Sequence, residues 1–158
     1  MKRIIRKLTS LLTITLLLCA CNQEDDVLEI FNSGVWNVDN FYSSVNWNTN
    51  SATWGTPDYV HDSDVNILRE ITIIFDENGT FTGNLSGGGT YSGKWEANAS
   101  DRSVSITNVS TNISLSGKNK EYIDKLQSAK FYRGDSKSTL RLAPINRTTC
   151  IQFAHRKK

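Results

Sequence analysis

The sequence predicts a mainly β protein: a single antiparallel up-and-down barrel, or half-barrel, of about eight short strands with one short helix inserted. Three observations carry that expectation. Apolar residues alternate at period two through a succession of short segments, as in strands buried on one face. Clusters of Asn, Asp, Gly and Ser separate those segments at hairpin spacing. The chain holds only 2 Pro, so a sheet this long must hide its edges by other means, and rolling into a barrel does so.

The chain opens with Lys2, Arg3, Arg6 and Lys7 and carries no acid before Glu24. Leu8 to Leu18 is an apolar run diluted by Thr9, Ser10, Thr13 and Thr15. A positive start, a short apolar middle and a small-residue exit read as a secretory signal. The run is shorter than the ~20 apolar residues a spanning helix needs, so residues 1–20 are expected to be removed. The exit, Leu18-Cys19-Ala20-Cys21, resembles the lipobox of bacterial lipoproteins. That resemblance implies a diacylglycerol thioether on Cys21, cleavage before it, and a membrane partner reached through the lipid anchor. A thiol is the side chain nucleophilic enough for such chemistry near neutral pH. Asn22 stands where an inner-membrane lipoprotein carries Asp, and Glu24-Asp25-Asp26 resembles an acidic export tag. The expected location is therefore the outer membrane of the cell envelope. Residues 21–31 are expected to serve as lipid attachment and extended acidic tether, and residues 32–158 as the β domain.

Removing residues 1–20 of 158 leaves enough chain for one domain. Four of the 18 Lys and Arg lie in the leader, leaving 14 against all 16 Asp and Glu, a charge of about −2. A nucleic-acid partner asks for a clustered basic face; the nearest thing is the end Arg156-Lys157-Lys158, so no nucleic acid is expected. With Cys19 removed and Cys21 acylated, Cys150 stands alone and no intramolecular disulfide can form. Cys150 is expected to be a small strand residue.

Gly34 to Phe41 puts Trp36 and Val38 at period two and opens the sheet. In "DSDVNILRE" one helical turn is expected, capped by Asp62 or Asp64, with Val65 and Leu68 inward. Ile71, Ile73 and Phe75 then alternate up to Asp76-Glu77-Asn78-Gly79. A type I turn at Glu77-Asn78 with left-handed Gly79 pairs Phe75 with Phe81, keeping both rings on one face. In "GTYSGKWEA" Tyr91, Gly93 and Trp95 face inward, and in "SVSITNV" Val104 and Ile106 do. "NKEYIDKLQSA" changes period, with Tyr122, Ile123 and Leu126 on one helical stripe and Lys125 four residues after Glu121. "AKFYRG", "TLRLAP" and "TCIQFAHR" supply three closing strands.

From Phe81 to Arg156 the chain resembles the META domain family, small antiparallel half-barrels of bacterial heat-shock and lipoprotein sequences. The residues that carry this are "FTGNLSGGGTYSGKWEANASDRSVSITNVSTN", "EYIDKLQSAKFY", "LRLAP" and "IQFAHR". Gly34-Val35-Trp36 also looks like the Gly-x-Trp of lipocalins. The chain departs from META in having Gly88-Gly89-Thr90 for Gly-Cys-Asn and Thr111-Asn112-Ile113 for Met-Ala-Cys. The resemblance implies shape and location, with no catalytic site.

No motif announces a reaction. Gly88 to Lys94 approaches a P-loop, but Trp95 stands where Ser or Thr must hold magnesium and the next residues alternate like a strand. His61, Asp62 and Asp64 are adjacent on a loop and read as turn or capping residues. Neither a cofactor nor a metal is expected, and the chain is not expected to be an enzyme. The long polar stretch 42–66 carries Trp47, Trp54 and Tyr59, and long loops in compact domains tend to be functional. Two readings stay open: these rings form a contact surface for a sugar, acyl chain or protein, or they fold back and plug one mouth of the barrel. The expected function is a lipid-anchored binding or interaction module for an envelope protein or glycan. The alternative is a lipocalin-like carrier of a small hydrophobic ligand, although the inward bulk of Trp36, Phe75, Phe81, Tyr91, Trp95, Leu140 and Phe153 would fill a small barrel.

Overall fold

A computed structural model describes residues 24–49 and 54–155. The expected leader 1–20, the expected lipid-attachment residue Cys21 and the basic end 156–158 lie outside the described residues. The elements are α1 (Glu24–Phe31), β1 (Trp36–Ser43), β2 (Thr56–Pro57), α2 (Asp62–Arg69), β3 (Thr72–Phe75), β4 (Thr80–Asn84), β5 (Thr90–Asn98), β6 (Ser103–Thr111), α3 (Gly117–Ser128), β7 (Phe131–Gly134), β8 (Thr139–Ala143) and β9 (Cys150–His155). Every pairing between strands is antiparallel, and consecutive strands from β3 to β9 are neighbours. β1 closes the ring. It meets β3 at Trp36↔Ile73 and runs along β9 from Trp36↔His155 to Tyr42↔Cys150. The mainly β, up-and-down barrel class is what the alternation predicts. The strand number is nine rather than eight, because the two-residue β2 adds to the end of β1 at Tyr42↔Pro57 and Ser43↔Thr56.

The local registers follow the turn chemistry. Gly79 adopts φ +80°, its N–H donates to the Asp76 carbonyl at 3.0 Å, and Phe75 stands opposite Phe81. A bare two-residue turn would have sent one of those rings to solvent. Strand glycines make room for rings. A Cβ on Gly93 would lie 2.5 Å from Cζ of Phe81, its partner across the β4–β5 ladder. Aromatic side chains therefore lie flat over the glycine backbone, letting large rings fit inside a narrow barrel.

The interior is filled. Trp36, Phe75, Phe81, Tyr91, Trp95, Leu140 and Phe153 are each no more than 7% exposed. Tyr91 and Tyr122 share a 2.5 Å hydroxyl–hydroxyl hydrogen bond, and the Tyr91 hydroxyl also donates to the Thr72 carbonyl at 2.8 Å. α3 buries the expected stripe of Tyr122, Ile123 and Leu126, and Lys125 Nζ lies 3.7 Å from Glu121. α2 runs two turns rather than one, from an N-cap at His61, with Leu68 fully buried and Val65 half-buried.

The acidic stretch departs from expectation. Residues 24–31 form α1 and not an extended tether, so the folded unit begins before residue 32. Val27, Ile30 and Phe31, at i, i+3 and i+4, make a helical stripe. All three are buried, Phe31 completely. Its ring lies between Trp95 (stacked, 4.7 Å), Phe75 (edge-on, 4.9 Å) and Tyr132 (edge-on, 5.1 Å). α1 thus closes one end of the barrel. α3 lies toward the other, where Tyr122 meets Tyr91, four residues or about 13 Å along β5 from Trp95.

Candidate functional site

β7, β8, β9 and β1 turn one set of side chains inward and the other onto an outer wall. Cross-strand neighbours on that wall are Phe131↔Ala143, Arg133↔Arg141, Arg141↔Gln152 and Tyr42↔Cys150. The loop after β1 lies over it. The Val45 N–H donates to the Thr148 carbonyl at 3.0 Å, and the Asn46 N–H to the Trp54 carbonyl at 2.6 Å. Trp54 packs with Ala143 and Cys150, 4.4 Å from the Tyr42 ring, and is 8% exposed. The Arg141 guanidinium covers it at 3.7 Å and donates to Gln152 Oε1 at 2.8 Å, while Gln152 Nε2 donates to Asp39 at 2.8 Å.

The three aromatic residues expected on a contact surface are therefore not brought together. Trp54 is a buried pin of the loop. Tyr59 sits elsewhere, its backbone clasped by Asn40, its hydroxyl donating to Glu121 at 2.6 Å and the Lys118 ammonium 4.6 Å from its ring. That hydrogen bond pushes the Tyr59 pKa up to about 12. Trp47 is half-buried and lies at the rim of a cleft. Trp47 and Trp54 do not plug a mouth of the barrel either; they lie against its outer wall.

The cleft beside Trp47 measures about 660 Å³ and is lined by Arg102, Arg133, Arg147, Phe131, Asp101 and Asn48 among others. Three hairpins and loops build it. Arg102 ends the β5–β6 turn, where Ser100 N–H bonds Asn98 Oδ1 at 2.9 Å and Ser103 N–H bonds Asp101 Oδ1 at 2.9 Å. The Arg102 carbonyl accepts from Tyr132 N–H at 3.0 Å, fixing that turn to β7. Arg147 ends the β8–β9 turn, its N–H bonded to the Pro144 carbonyl at 3.0 Å. Its guanidinium lies 3.7 Å over the Phe131 ring, and its Nε is buried with no hydrogen-bond acceptor among the described residues. Arg133 Nη1 donates to the Trp47 main-chain carbonyl. Asp101 is the acid among the described residues that line this cleft, and its hydrogen bonds from Ser103 hold its carboxyl below its ordinary range.

Two local costs are accepted here. Arg102 and Arg147 have φ +55° and +56°, the left-handed region that favours Gly and Asn. Arg133 and Arg141 stand directly opposite one another, a like-charge pair that disfavours the sheet. The sequence does not display the cleft, because its arginines come from separate turns and strands and the charge balance of the whole chain hides them. The legible signal was Arg at turn positions where Gly or Asn is usual.

The remaining sequence candidates resolve into structure. Gly88 to Lys94 is a hairpin tip running into β5, not a loop before a helix. Asp62 and Asp64 lie in the first turn of α2, and Lys118 Nζ reaches Asp64 at 2.7 Å. Cys150 is 2% exposed and burial pushes its thiol up to about 12. His155 stands at the other end of β9, five residues or about 17 Å away. It stacks on Trp36 at 3.8 Å and shares Nε2 with Ser33 Oγ at 2.8 Å and the Ser136 carbonyl at 3.0 Å, tying β9 to the loop behind α1.

Comparison with known proteins places this barrel. A protein from Burkholderia xenovorans, solved by NMR, covers 81% of the chain and 85% of its own at 14% identity and TM-score 0.53, a likeness of fold alone. No curated protein matches. A crystal structure of a DUF4847 family protein from Bacteroides vulgatus is 37% identical, covers 84% of this chain and 99% of its own, with TM-score 0.72. The second half was expected to resemble META domains; the family model that matches, over residues 22–155, is instead a domain of unknown function. Its match includes α1 and the whole barrel, and the chain belongs to this family, DUF4847.

Proposed function

We propose that this protein is a lipid-anchored envelope lipoprotein whose barrel is a binding module, meeting its partner on the outer wall at the Trp47 cleft. The observation that carries this is the contrast between a ring-filled interior and a concave, cationic outer wall. A small antiparallel barrel packed with aromatic side chains is a rigid scaffold, and binding sites sit preferentially on loops that such scaffolds position. The lipobox-like Cys21 supplies the anchor. Only Asn22 and Gln23 separate Cys21 from α1, three Cα steps or about 10 Å when extended, so the anchor would hold the barrel close to the membrane.

Two measurements in the native host test the reading. Mass spectrometry of the mature amino end should find diacylglycerol on Cys21. A photo-crosslinking amino acid at Asn48, beside the cleft, should capture a partner in intact cells, and one at exposed Asp124 on α3 should not. A bare Cys21 thiol removes the anchor. Equal capture from both positions, or none from Asn48, removes the outer wall as the binding face.

A further inference from the structure

We propose that His155 acts as a proton-dependent latch, an imidazolium that ties α1 to the end of the barrel and lets it lift when the proton leaves. The polarity of its contacts carries the inference. Ser33 Oγ spends its own proton on the Ile30 carbonyl at 2.7 Å, so toward His155 Nε2 at 2.8 Å it acts as an acceptor. The Ser136 carbonyl also faces Nε2, at 3.0 Å, and the Val35 carbonyl faces Nδ1 at 3.3 Å. Both ring nitrogens therefore meet acceptors. A neutral imidazole has one N–H and one lone pair, whereas the imidazolium has two N–H donors. With the single proton on Nε2, the Nδ1 lone pair would point at the Val35 oxygen. With it on Nδ1, the Nε2 lone pair would point at the Ser136 oxygen. Only the doubly protonated ring satisfies every contact, through charge-assisted hydrogen bonds.

The surroundings suit a cation. Ser33 and Ile30 lie at the carboxyl end of α1, where the helix dipole favours positive charge. The ring stacks 3.8 Å from the Trp36 indole, whose face attracts cations. Ser136 joins the ring to α1 a second time, since its hydroxyl donates to Glu29 Oε1 at 2.9 Å. The charged neighbours come from several elements. They are Glu29 of α1, Asp135 and Lys137 beside Ser136, Asp39 of β1 and Arg69 of α2 in the cleft His155 lines, and Arg156 next along the chain. These three carboxylates and three cations offset one another, so the short contacts decide the charge of the ring. A latch that needs its proton is complete at low pH and fails as the pH rises and the proton is lost. Its consequence for reach rests on the lipid-anchor reading: the eight residues of α1, once unwound, would add up to about 26 Å to the tether.

The test uses the full chain in non-ionic detergent, with amide hydrogen exchange corrected for intrinsic rates at each pH. Between about pH 5.5 and about pH 8 histidine is the side chain that ordinarily changes charge, and the chain holds 2 His, His61 and His155. Protection of the α1 amides from Leu28 to Asn32 should fall at least about tenfold across that interval, as charged hydrogen bonds are lost. Phe81 and Trp95 amides in the barrel wall should keep theirs. Imidazole ¹⁵N spectra should show His155 giving up its proton over the same interval. His155→Gln should abolish the pH effect and leave α1 at its high-pH protection, and His61→Gln should leave the effect intact. Should His155→Gln unfold because Trp36 loses its stacking partner, Ser33→Ala decides: it keeps the ring, removes one acceptor and should shrink the effect. Protection of α1 that does not change with pH, or a change that survives His155→Gln or is undiminished in Ser33→Ala, overturns the proposal. A bare Cys21 thiol removes only the consequence for reach and leaves the latch standing.

Discussion

Phe31→Ala tests whether residues 24–31 are part of the folded unit or a tether on which it hangs. Phe31 is 0% exposed and its ring contacts three aromatic neighbours at 4.7 to 5.1 Å. Truncating a buried Phe costs about 3–5 kcal/mol, the sum of lost transfer energy and the cavity left behind. The aromatic contacts place this site toward the upper half of that range, since ring pairs add about 0.5–1.5 kcal/mol beyond area alone. An expected loss of about 4 kcal/mol is about a quarter or more of the ~5–15 kcal/mol stability of a typical domain. The assay is urea unfolding followed by tryptophan fluorescence, because Trp95 stacks on Phe31 and reports its removal directly. At a slope of about 2 kcal/mol/M, the midpoint should fall by roughly 2 M. Hydrogen exchange distinguishes global loss from undocking of α1 alone. A midpoint shift under about 0.5 M, with exchange in α1 unchanged, would refute the argument and restore the stretch to a tether.

Gly93→Ala should destabilise by about 1–3 kcal/mol, read in the same urea assay, because the new Cβ would stand 2.5 Å from Phe81 and 2.9 Å from the Thr107 carbonyl. Alkaline pH should unfold the protein. Burial pushes the Cys150 thiol up to about 12 from 9.0 and Tyr91 well above 10.0, so the unfolded chain loses these protons first. Stability is then full below about pH 9 and falls by up to about 1.4 kcal/mol per pH unit per group above it; Cys150→Ala should flatten the first part of that fall. A fluorescent fatty acid should show no saturable micromolar quenching of Trp36 or Trp95, and such quenching would revive the internal-carrier reading.

Much of the fold was legible because its determinants are local. Alternation at Ile73, Phe75, Tyr91 and Trp95 marks the faces of strands, and the left-handed Gly79 fixes the register that sets Phe75 against Phe81. The stripe of Tyr122, Ile123 and Leu126 names a helix by its period. α1 was obscured by its own composition, since an acidic run reads as solvated linker while Val27, Ile30 and Phe31 supply only one apolar stripe across two turns. Whether that stripe is worth burying depends on a hole at the barrel's end, which no local pattern contains.

The sequence by itself determined the period of β1, of β3 to β9 and of α3, and the turn at Gly79, because backbone preference and side-chain alternation act over a few residues. Tertiary structure alone decided which face each loop covers. Trp54 was drawn under the Arg141 guanidinium, and Tyr59 was carried to Glu121 and away from Trp47. It also gathered Arg102, Arg133 and Arg147 from positions 45 residues apart at the extremes into one cleft. Ring closure brings together charges that the chain keeps separate, and a Coulombic field depends on that distance in space, not on separation along the chain.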